Sequence, residues 1–209
     1  MGETKIGAQL YTLRDHMKTP QDIAKTLREL RKIGYQAVQV SGIGPIEPRE
    51  LKKILEDEGL YACATHVGYE RLVKGIEGVI EEHKILQAPH VACPGLPSEY
   101  HNEEGYKKVA KELSKVGEVL KENGLTLSYH NHHLEFEKYG GKVGLDILFD
   151  ESDPECLQAE IDTYWVQYGG GDPAAWCRRL KGRLPLVHLK DMGIKDGVKL
   201  LSRSLGVEF

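Results

Sequence analysis

Residues 125–135 have the sequence LTLSYHNHHLE, an alternating apolar segment that ends in a histidine-rich cluster. Alternation of this kind predicts a β-strand, in which successive side chains point to opposite faces. Thr126, Ser128, His130 and His132 then share one face, while two leucines and a tyrosine share the other. The segment therefore predicts a strand that brings at least two imidazoles together where it ends.

This strand is one of seven similar units. Short apolar segments begin near Lys5, Gln36, Tyr61, Pro89, Leu125, Leu157 and Pro185. Their spacing is typical of a strand followed by a helix, and the alternation predicts a parallel sheet with helices outside it. Helices are expected from Pro20 to Ile33, from Pro48 to a stop at Gly59, and from Tyr106 to Glu122.

The two faces of each strand distinguish an open sheet from a barrel. A doubly wound open sheet has apolar residues on both faces. Here one face of each strand is apolar and the other is mixed, with a polar group near the strand's end, as in Ala37, Gln39 and Ser41. This pattern favours the interior of an α/β barrel of the TIM (β/α)₈ type, which opens into a site at the carboxyl ends of its strands.

The spacing places an eighth strand beyond the last residue, Phe209. We therefore expect an incomplete barrel of about seven βα units, in which residues 200–209 either replace the eighth strand poorly or leave the barrel open. An open edge exposes strand hydrogen-bonding groups and would favour a homo-oligomer. Because no low-complexity linker interrupts the series, residues 1–209 are predicted to form one domain.

Composition excludes several partner classes. The net charge of −4 gives no electrostatic reason to expect nucleic acid or an anionic membrane. The amino terminus does not resemble a targeting signal, and no segment approaches 18 consecutive apolar residues. The cysteines are widely spaced and form no CxxC pair, which predicts reduced thiols in a cytoplasmic protein. They are Cys63, Cys93, Cys156 and Cys177.

Three strand ends carry the residues with the clearest chemistry. His130 and His132, with nearby Glu135, are potential metal ligands or proton carriers, although they could also complete a loop with hydrogen bonds. Glu160 and Asp162 share an inward face, and burying both charges calls for a cation. The third strand end adds the inward-facing residues His188 and Lys190.

His188 is a natural metal ligand, although a single strand histidine is more often part of a core. Lys190 could stabilise an enolate. Weaker candidates could bind polyol hydroxyls or could serve only as structural residues at the mouth of the barrel. These are Gln9, Gln39 and His66. Trp165 could form a wall of the pocket or could only pack, and Asn131 lies between the two histidines of the first strand end.

Five segments resemble the xylose isomerase-like sugar phosphate isomerase/epimerase family of TIM barrels, which includes inosose dehydratase and relatives of endonuclease IV. They are QLYTLRD (9–15), GYQAVQVSG (34–42), YHNH (129–132), DTYW (162–165) and VHLKD (187–191). The resemblance implies one divalent metal ion (Mn, Zn, Co or Mg). It is held by a Glu on strand five, an Asp on strand six, a His on strand seven and a Glu on strand eight.

Carried onto this sequence, the pattern implies His130, Asp162 and His188 as metal ligands, with His132 and Glu135 as rivals of His130. The strand-eight glutamate has no counterpart here, so the chain resembles a member shortened at its carboxyl end. Together with the interpretation of the strand ends, the catalytic candidates are His132, Glu135, Glu160 and Lys190. The candidates for substrate binding are Gln9, Gln39, His66, Asn131 and Trp165.

The activity implied is a metal-dependent isomerase or epimerase that acts on a sugar, sugar phosphate, keto-sugar or cyclitol through an enediolate. A lyase of the inosose dehydratase kind and a catalytically inactive, truncated barrel are the alternatives. Nucleic-acid cleavage of the endonuclease IV kind is disfavoured by the acidic charge balance.

Overall fold

The computed structural model describes residues 6–195 and 198–208. Within these residues, ten strands follow one another. They are β1 (Ile6–Gln9), β2 (Ala37–Val40), β3 (Tyr61–His66), β4 (His90–Cys93), β5 (Thr126–His130), β6 (Lys138–Tyr139), β7 (Lys142–Val143), β8 (Leu157–Asp162), β9 (Leu186–Lys195) and β10 (Val198–Glu208). The short pair β6 and β7 forms a separate two-stranded sheet, and the other eight strands form the barrel.

In the described part of the chain, eight α-helices lie between the strands. They are α1 (Pro20–Ile33), α2 (Pro48–Asp57), α3 (Tyr69–Lys74), α4 (Ile76–Leu86), α5 (Glu103–Glu122), α6 (Gly144–Glu151), α7 (Thr163–Tyr168) and α8 (Pro173–Arg179). Among the described residues, no helix is long and apolar enough to cross a membrane.

Helix termini follow local sequence signals. Thr19 and Asp22 form a reciprocal capping box at the start of α1, and Gly34 ends the helix with a φ of 117°. The predicted start of α5, Tyr106, lies three residues after the observed start, Glu103. Asn102 caps this helix because its side-chain oxygen accepts a hydrogen bond from the backbone of Gly105 at 2.9 Å.

The strands form a closed barrel in the order β1-β10-β9-β8-β5-β4-β3-β2. Seven of them are parallel, and each begins at the predicted residue or one residue later. The predicted incomplete TIM-type barrel is therefore confirmed. The eighth place is taken by β10, which runs antiparallel to both β9 and β1. Of the two predicted alternatives, the carboxyl-terminal segment therefore substitutes for the eighth strand and the barrel is not left open.

The core is divided between the outside and the inside of the barrel. Two large apolar clusters fill the space between the strands and the helices. A small cluster of Ala37, Cys63, Ala64 and Leu186 is separate from them. The strands supply buried polar groups where they end, and these groups form the candidate site. The four cysteines are free, and Cys63 and Cys93 are buried.

Candidate active site

Four side chains of β3, β5, β8 and β9 converge at the end of the barrel where β3, β5 and β8 stop. His188 lies early in β9, where it pairs with Asp162, the last residue of β8. One potential ligand atom from each of His66, His130, Glu160 and His188 lies within 4.8 Å of the others. The register of the sheet explains the convergence, since His130 pairs with Glu160 across β5 and β8. We call these four residues the histidine–glutamate group.

Glu160 occupies the centre of this group and is completely buried. Its Oε2 atom lies 2.8 Å from His66 Nε2 and 3.3 Å from His130 Nδ1. Its Oε1 atom accepts a hydrogen bond from Gln39 Nε2 at 2.7 Å and lies 3.5 Å from His188 Nε2. Burial acts to raise the pKa of this carboxyl, but His188 and His66 outweigh it and hold the pKa well below its usual value.

The pKa values of His130 and His188 are shifted in opposite directions. Burial, reinforced by the charge of His188, lowers the pKa of His130 to about 3. Burial also acts against a charge on His188, but Glu160 and Asp162 raise the pKa of this imidazole to about 9. His130 is therefore neutral near pH 7, and its Nδ1 has no hydrogen-bond partner among the described residues. Neutral imidazole of this kind is a good metal ligand.

Asp162 flanks the group. Its Oδ2 atom lies 3.6 Å from His188 Nδ1 and 3.5 Å from Lys190 Nζ. Its Oδ1 atom accepts a hydrogen bond from the backbone N–H of Trp165 at 3.0 Å, which caps the start of α7. Burial acts to raise the pKa of Asp162, but the hydrogen bond from His188 and the nearby positive charges lower it. One carboxylate thus connects the helix to the group.

Aromatic rings and a lysine form the wall next to Asp162. The Lys190 ammonium lies 5.1 Å from the ring centres of both Tyr164 and Trp165. The Trp165 ring lies 5.2 Å from that of His132, whose pKa is lowered by burial. The Thr163 hydroxyl donates to the carbonyl of Lys190 at 2.6 Å and accepts from its N–H at 2.9 Å. These contacts join α7 to β9.

A cavity of about 480 Å³ opens over the histidine–glutamate group. This volume is within the range of about 300–1,000 Å³ that small-molecule sites occupy. The walls include His132, Asp162, Trp165 and Lys190, all of which were predicted to be site residues. The arrangement can therefore place a small polar molecule directly against the buried imidazoles.

Besides the buried Glu160, three other predicted residues do not line the cavity. Gln39 is completely buried and bonds Glu160. Asn131 is also completely buried, and its side-chain oxygen accepts from the N–H of Asp162 at 3.0 Å. Glu135 lies outside the group, because its carboxylate accepts from the Tyr129 hydroxyl at 2.7 Å and from the His132 N–H at 2.8 Å.

Gln9 lines the cavity, but its amide is already hydrogen-bonded to Gln39 and to the backbone of Tyr11. Five further lining residues were not predicted as site residues, namely Tyr11, Thr12, Ser41, Gly42 and Pro94. The Ser41 hydroxyl lies 3.0 Å from His66 Nδ1. Its position two residues after Gln39, on the same face of the strand, was the available signal.

The family model of the xylose isomerase-like TIM barrel matches residues 27–205. The chain belongs to this family. Among curated relatives, an inosose dehydratase from Clostridium perfringens is 32% identical over 190 residues, which cover 79% of this chain and 62% of the relative. Another, from Clostridium tetani, is 32% identical over 101 residues, which cover 48% of this chain and only 33% of the relative. The chain thus spans less than two thirds of the length of both relatives.

A solved sugar phosphate isomerase/epimerase from Parabacteroides distasonis shares the fold with a TM-score of 0.79 and 26% identity, over 97% of this chain and 80% of that chain. A xylose isomerase-like TIM barrel protein from Mycobacterium smegmatis, solved in complex with magnesium, has a TM-score of 0.68 and 15% identity, over 93% of this chain and 78% of that chain. At this identity the second similarity shows the fold alone. The family predicted from the sequence is confirmed.

Proposed function

We propose that this chain carries the active site of a metal-dependent isomerase or epimerase that acts on a sugar, sugar phosphate or keto-sugar through an enediolate. The observation that carries the proposal is the histidine–glutamate group, which lies beneath an open cavity at the carboxyl ends of the strands. In barrels of this type, that end is where active sites are found. The solved isomerase/epimerase that shares the fold supports the reaction class.

The donor set fits a divalent cation. Three imidazoles and one carboxylate lie within 4.8 Å of one another, and His130 Nδ1 makes no hydrogen bond within the described part of the chain. We propose that His66, His130, Glu160 and His188 hold one ion. Nitrogen-rich sites favour zinc or cobalt, whereas magnesium prefers oxygen ligands. Asp162, which the family pattern implies as a ligand, lies beside the group at His188.

A bound divalent ion supplies Lewis acidity that polarises a substrate carbonyl and the adjacent hydroxyl. The His132 imidazole lines the cavity and is the residue that we propose accepts the proton from the carbon between them. Lys190 presents a positive charge to the oxygen on which negative charge develops. The Trp165 ring offers an apolar wall for the carbon face of a sugar.

A lyase of the inosose dehydratase kind is the second candidate, with a keto-cyclitol as its substrate. It is favoured by the identity to inosose dehydratases over most of this chain. The same proton removal would be followed by loss of a β-hydroxyl instead of reprotonation. The products distinguish the two reactions, because a lyase releases water and an isomerase or epimerase does not.

The metal site is tested by calorimetric titration of the metal-depleted chain with Zn²⁺, Co²⁺, Mn²⁺ and Mg²⁺. We expect one ion per chain, tightest for zinc or cobalt, and no measurable binding by His188→Ala. His16→Ala is the matched control, because His16 is exposed and lies outside the group. A wild-type chain that binds none of the four ions would overturn the proposed site.

Asp162→Asn tests the family ligand separately. An asparagine retains the ability to cap α7, so the fold should be preserved while the negative charge is lost. We expect about tenfold weaker metal binding if Asp162 supports the group only through His188, consistent with the loss of a supporting partner. Complete loss of binding would instead identify Asp162 as a direct ligand.

The reaction is tested by incubating the metal-loaded chain with keto-sugars, sugar phosphates and inosose in deuterated water. Deuterium in an isomeric product supports the isomerase or epimerase. A product lighter by one water supports the lyase. Absence of both products over the whole substrate panel, with metal bound, would favour the catalytically inactive barrel.

A further inference from the structure

Gln39 lies at the centre of a hydrogen-bond network inside the barrel. Its Nε2 donates to Glu160 Oε1 at 2.7 Å, and its Oε1 accepts from Gln9 Nε2 at 2.8 Å and from His188 Nε2 at 2.6 Å. The side chain is completely buried, so it cannot contact a substrate in the cavity. One amide on β2 therefore connects β1 with the residues of the group on β8 and β9.

The chemistry of the partners fixes the orientation of this amide. An ionised carboxylate only accepts hydrogen bonds, so the nitrogen of Gln39 must face Glu160. Its oxygen then faces His188, which must carry a proton on Nε2 in order to donate. Gln39 therefore keeps a proton on Nε2 of His188, and Nδ1, which faces Asp162, is the nitrogen that would lose its proton when a cation binds.

Gln9 fixes the orientation of the hydrogen-bond network at its other end. Its Oε1 accepts a hydrogen bond from the backbone N–H of Tyr11 at 2.9 Å, which leaves its amide nitrogen to donate to Gln39. The donors thus run in one direction from the Tyr11 backbone, through the two amides, to Glu160. Because a backbone N–H cannot reverse its role, the whole series has a single orientation.

We infer that Gln39 is a positioning residue that orients Glu160 and His188 for the cation, with Gln9 as its support. The inference rests on the proposed function, in which these two residues hold a metal ion. Partners that orient metal ligands in this way typically change affinity by about 10–100-fold when they are removed. The sequence predicted that Gln39 contacts substrate, whereas here we infer that it orients metal ligands.

Gln39→Met tests the inference, since methionine has a similar length but cannot make these hydrogen bonds. Zinc binding to the metal-depleted full chain, measured by calorimetry, should weaken about 10–100-fold. Ser128→Ala is the matched control and should bind within about twofold of wild type. Ser128 is also completely buried on a barrel strand, but its hydroxyl has no hydrogen-bond partner among the residues that the structure describes.

A second readout needs no metal. The Nε2 proton of His188 should give a downfield NMR signal that is protected from solvent exchange, because it lies in a short buried hydrogen bond. His188→Ala assigns the signal, and Gln39→Met should remove it. Gln9→Met is the substitute if Gln39→Met does not fold, because it removes the hydrogen bond that Gln9 donates to Gln39. This variant should weaken both zinc binding and the protection of the His188 signal from exchange.

The outcomes separate the two proposals. If Gln39→Met binds zinc as tightly as wild type and keeps the protected signal, the positioning role of Gln39 is overturned. The proposed metal site is not affected by that result. A wild-type chain that binds no zinc would overturn the proposed function. In that case, loss of the protected signal in Gln39→Met still supports the orientation of His188 by Gln39. Persistence of the signal in Gln39→Met overturns that orientation.

Discussion

Glu160 inside the barrel and Glu135 in the loop after β5 are both almost completely buried, with exposures of 0% and 1%. Glu135 is satisfied by groups close to it in the sequence, the Tyr129 hydroxyl and the His132 N–H. Glu160 instead meets imidazoles and an amide from β2, β3, β5 and β9. The first arrangement stabilises a loop, whereas the second gathers titratable groups of the kind that occur at functional sites.

The different roles of Glu160 and Glu135 are tested most directly by replacing each glutamate with glutamine. Glu160→Gln removes the only negative charge within the histidine–glutamate group. We therefore expect zinc affinity, measured by calorimetry, to fall by more than the roughly 10–100-fold caused by losing a supporting partner. Glu135→Gln should bind zinc within about twofold of wild type. Equal losses in the two variants would contradict the distinction between a ligand and a loop carboxylate.

The structural role of Glu135 is tested by Tyr129→Phe. This change removes the hydroxyl that donates to Glu135 Oε1 and leaves a buried carboxylate oxygen without that donor. We expect the free energy of unfolding in urea to fall by about 1–3 kcal/mol. Zinc affinity should not change.

Tyr35→Phe is the control for this loss of stability. Tyr35 is partly buried, and its hydroxyl makes no hydrogen bond within the described part of the chain. Its substitution should therefore leave the free energy of unfolding nearly unchanged. A similar destabilisation in both variants would show that loss of the hydroxyl from Tyr129 acts through something other than Glu135.

A smaller effect is expected from His83, a buried imidazole outside the site with a hydrogen-bonding partner at each ring nitrogen. Its Nδ1 lies 2.7 Å from the Val79 carbonyl and its Nε2 lies 2.7 Å from the Thr65 hydroxyl. Burial lowers its pKa in the folded protein below the ordinary value. The unfolded chain therefore takes up a proton first as the pH falls, and stability should decline below about pH 6.5.

His83→Gln removes this titration and is compared with wild type by urea unfolding at several pH values. The difference between the two free energies of unfolding should shift in favour of the variant as the pH falls through about 6.5. A difference that is independent of pH would show that His83 titrates alike in the folded and unfolded chains.

The sequence was sufficient for features that depend on local periodicity. Alternation located the strands, and proline, threonine and glycine signals located α1, because these patterns involve residues only a few positions apart. Periodicity did not extend to Glu135. The alternation of faces ends where β5 ends at His130, and the chain then enters a 3₁₀ turn at Leu134–Phe136. The carboxylate is thereby directed to Tyr129.

The partners of Glu160 required the closed barrel. Gln39 and His66 lie 121 and 94 residues away from it along the chain, so no spacing rule connects them. The regular repeat also did not predict that β10 would return antiparallel to β9. Sequence therefore predicted which strand ends carry chemistry, but it could not predict which side chains meet there.

The amide network from Gln9 to Glu160 also bears on the order of folding. Its contacts join β1 and β2 to strands that are made of residues more than a hundred positions later. Contacts of such long sequence separation carry a high cost of loop closure and form slowly. The group thus acquires its final geometry only after the first and last parallel strands have come together. Ion binding at the proposed metal site would accordingly measure completed barrel assembly, and a fragment without β1 and β2 would have three imidazoles and Glu160 but no amide to align them.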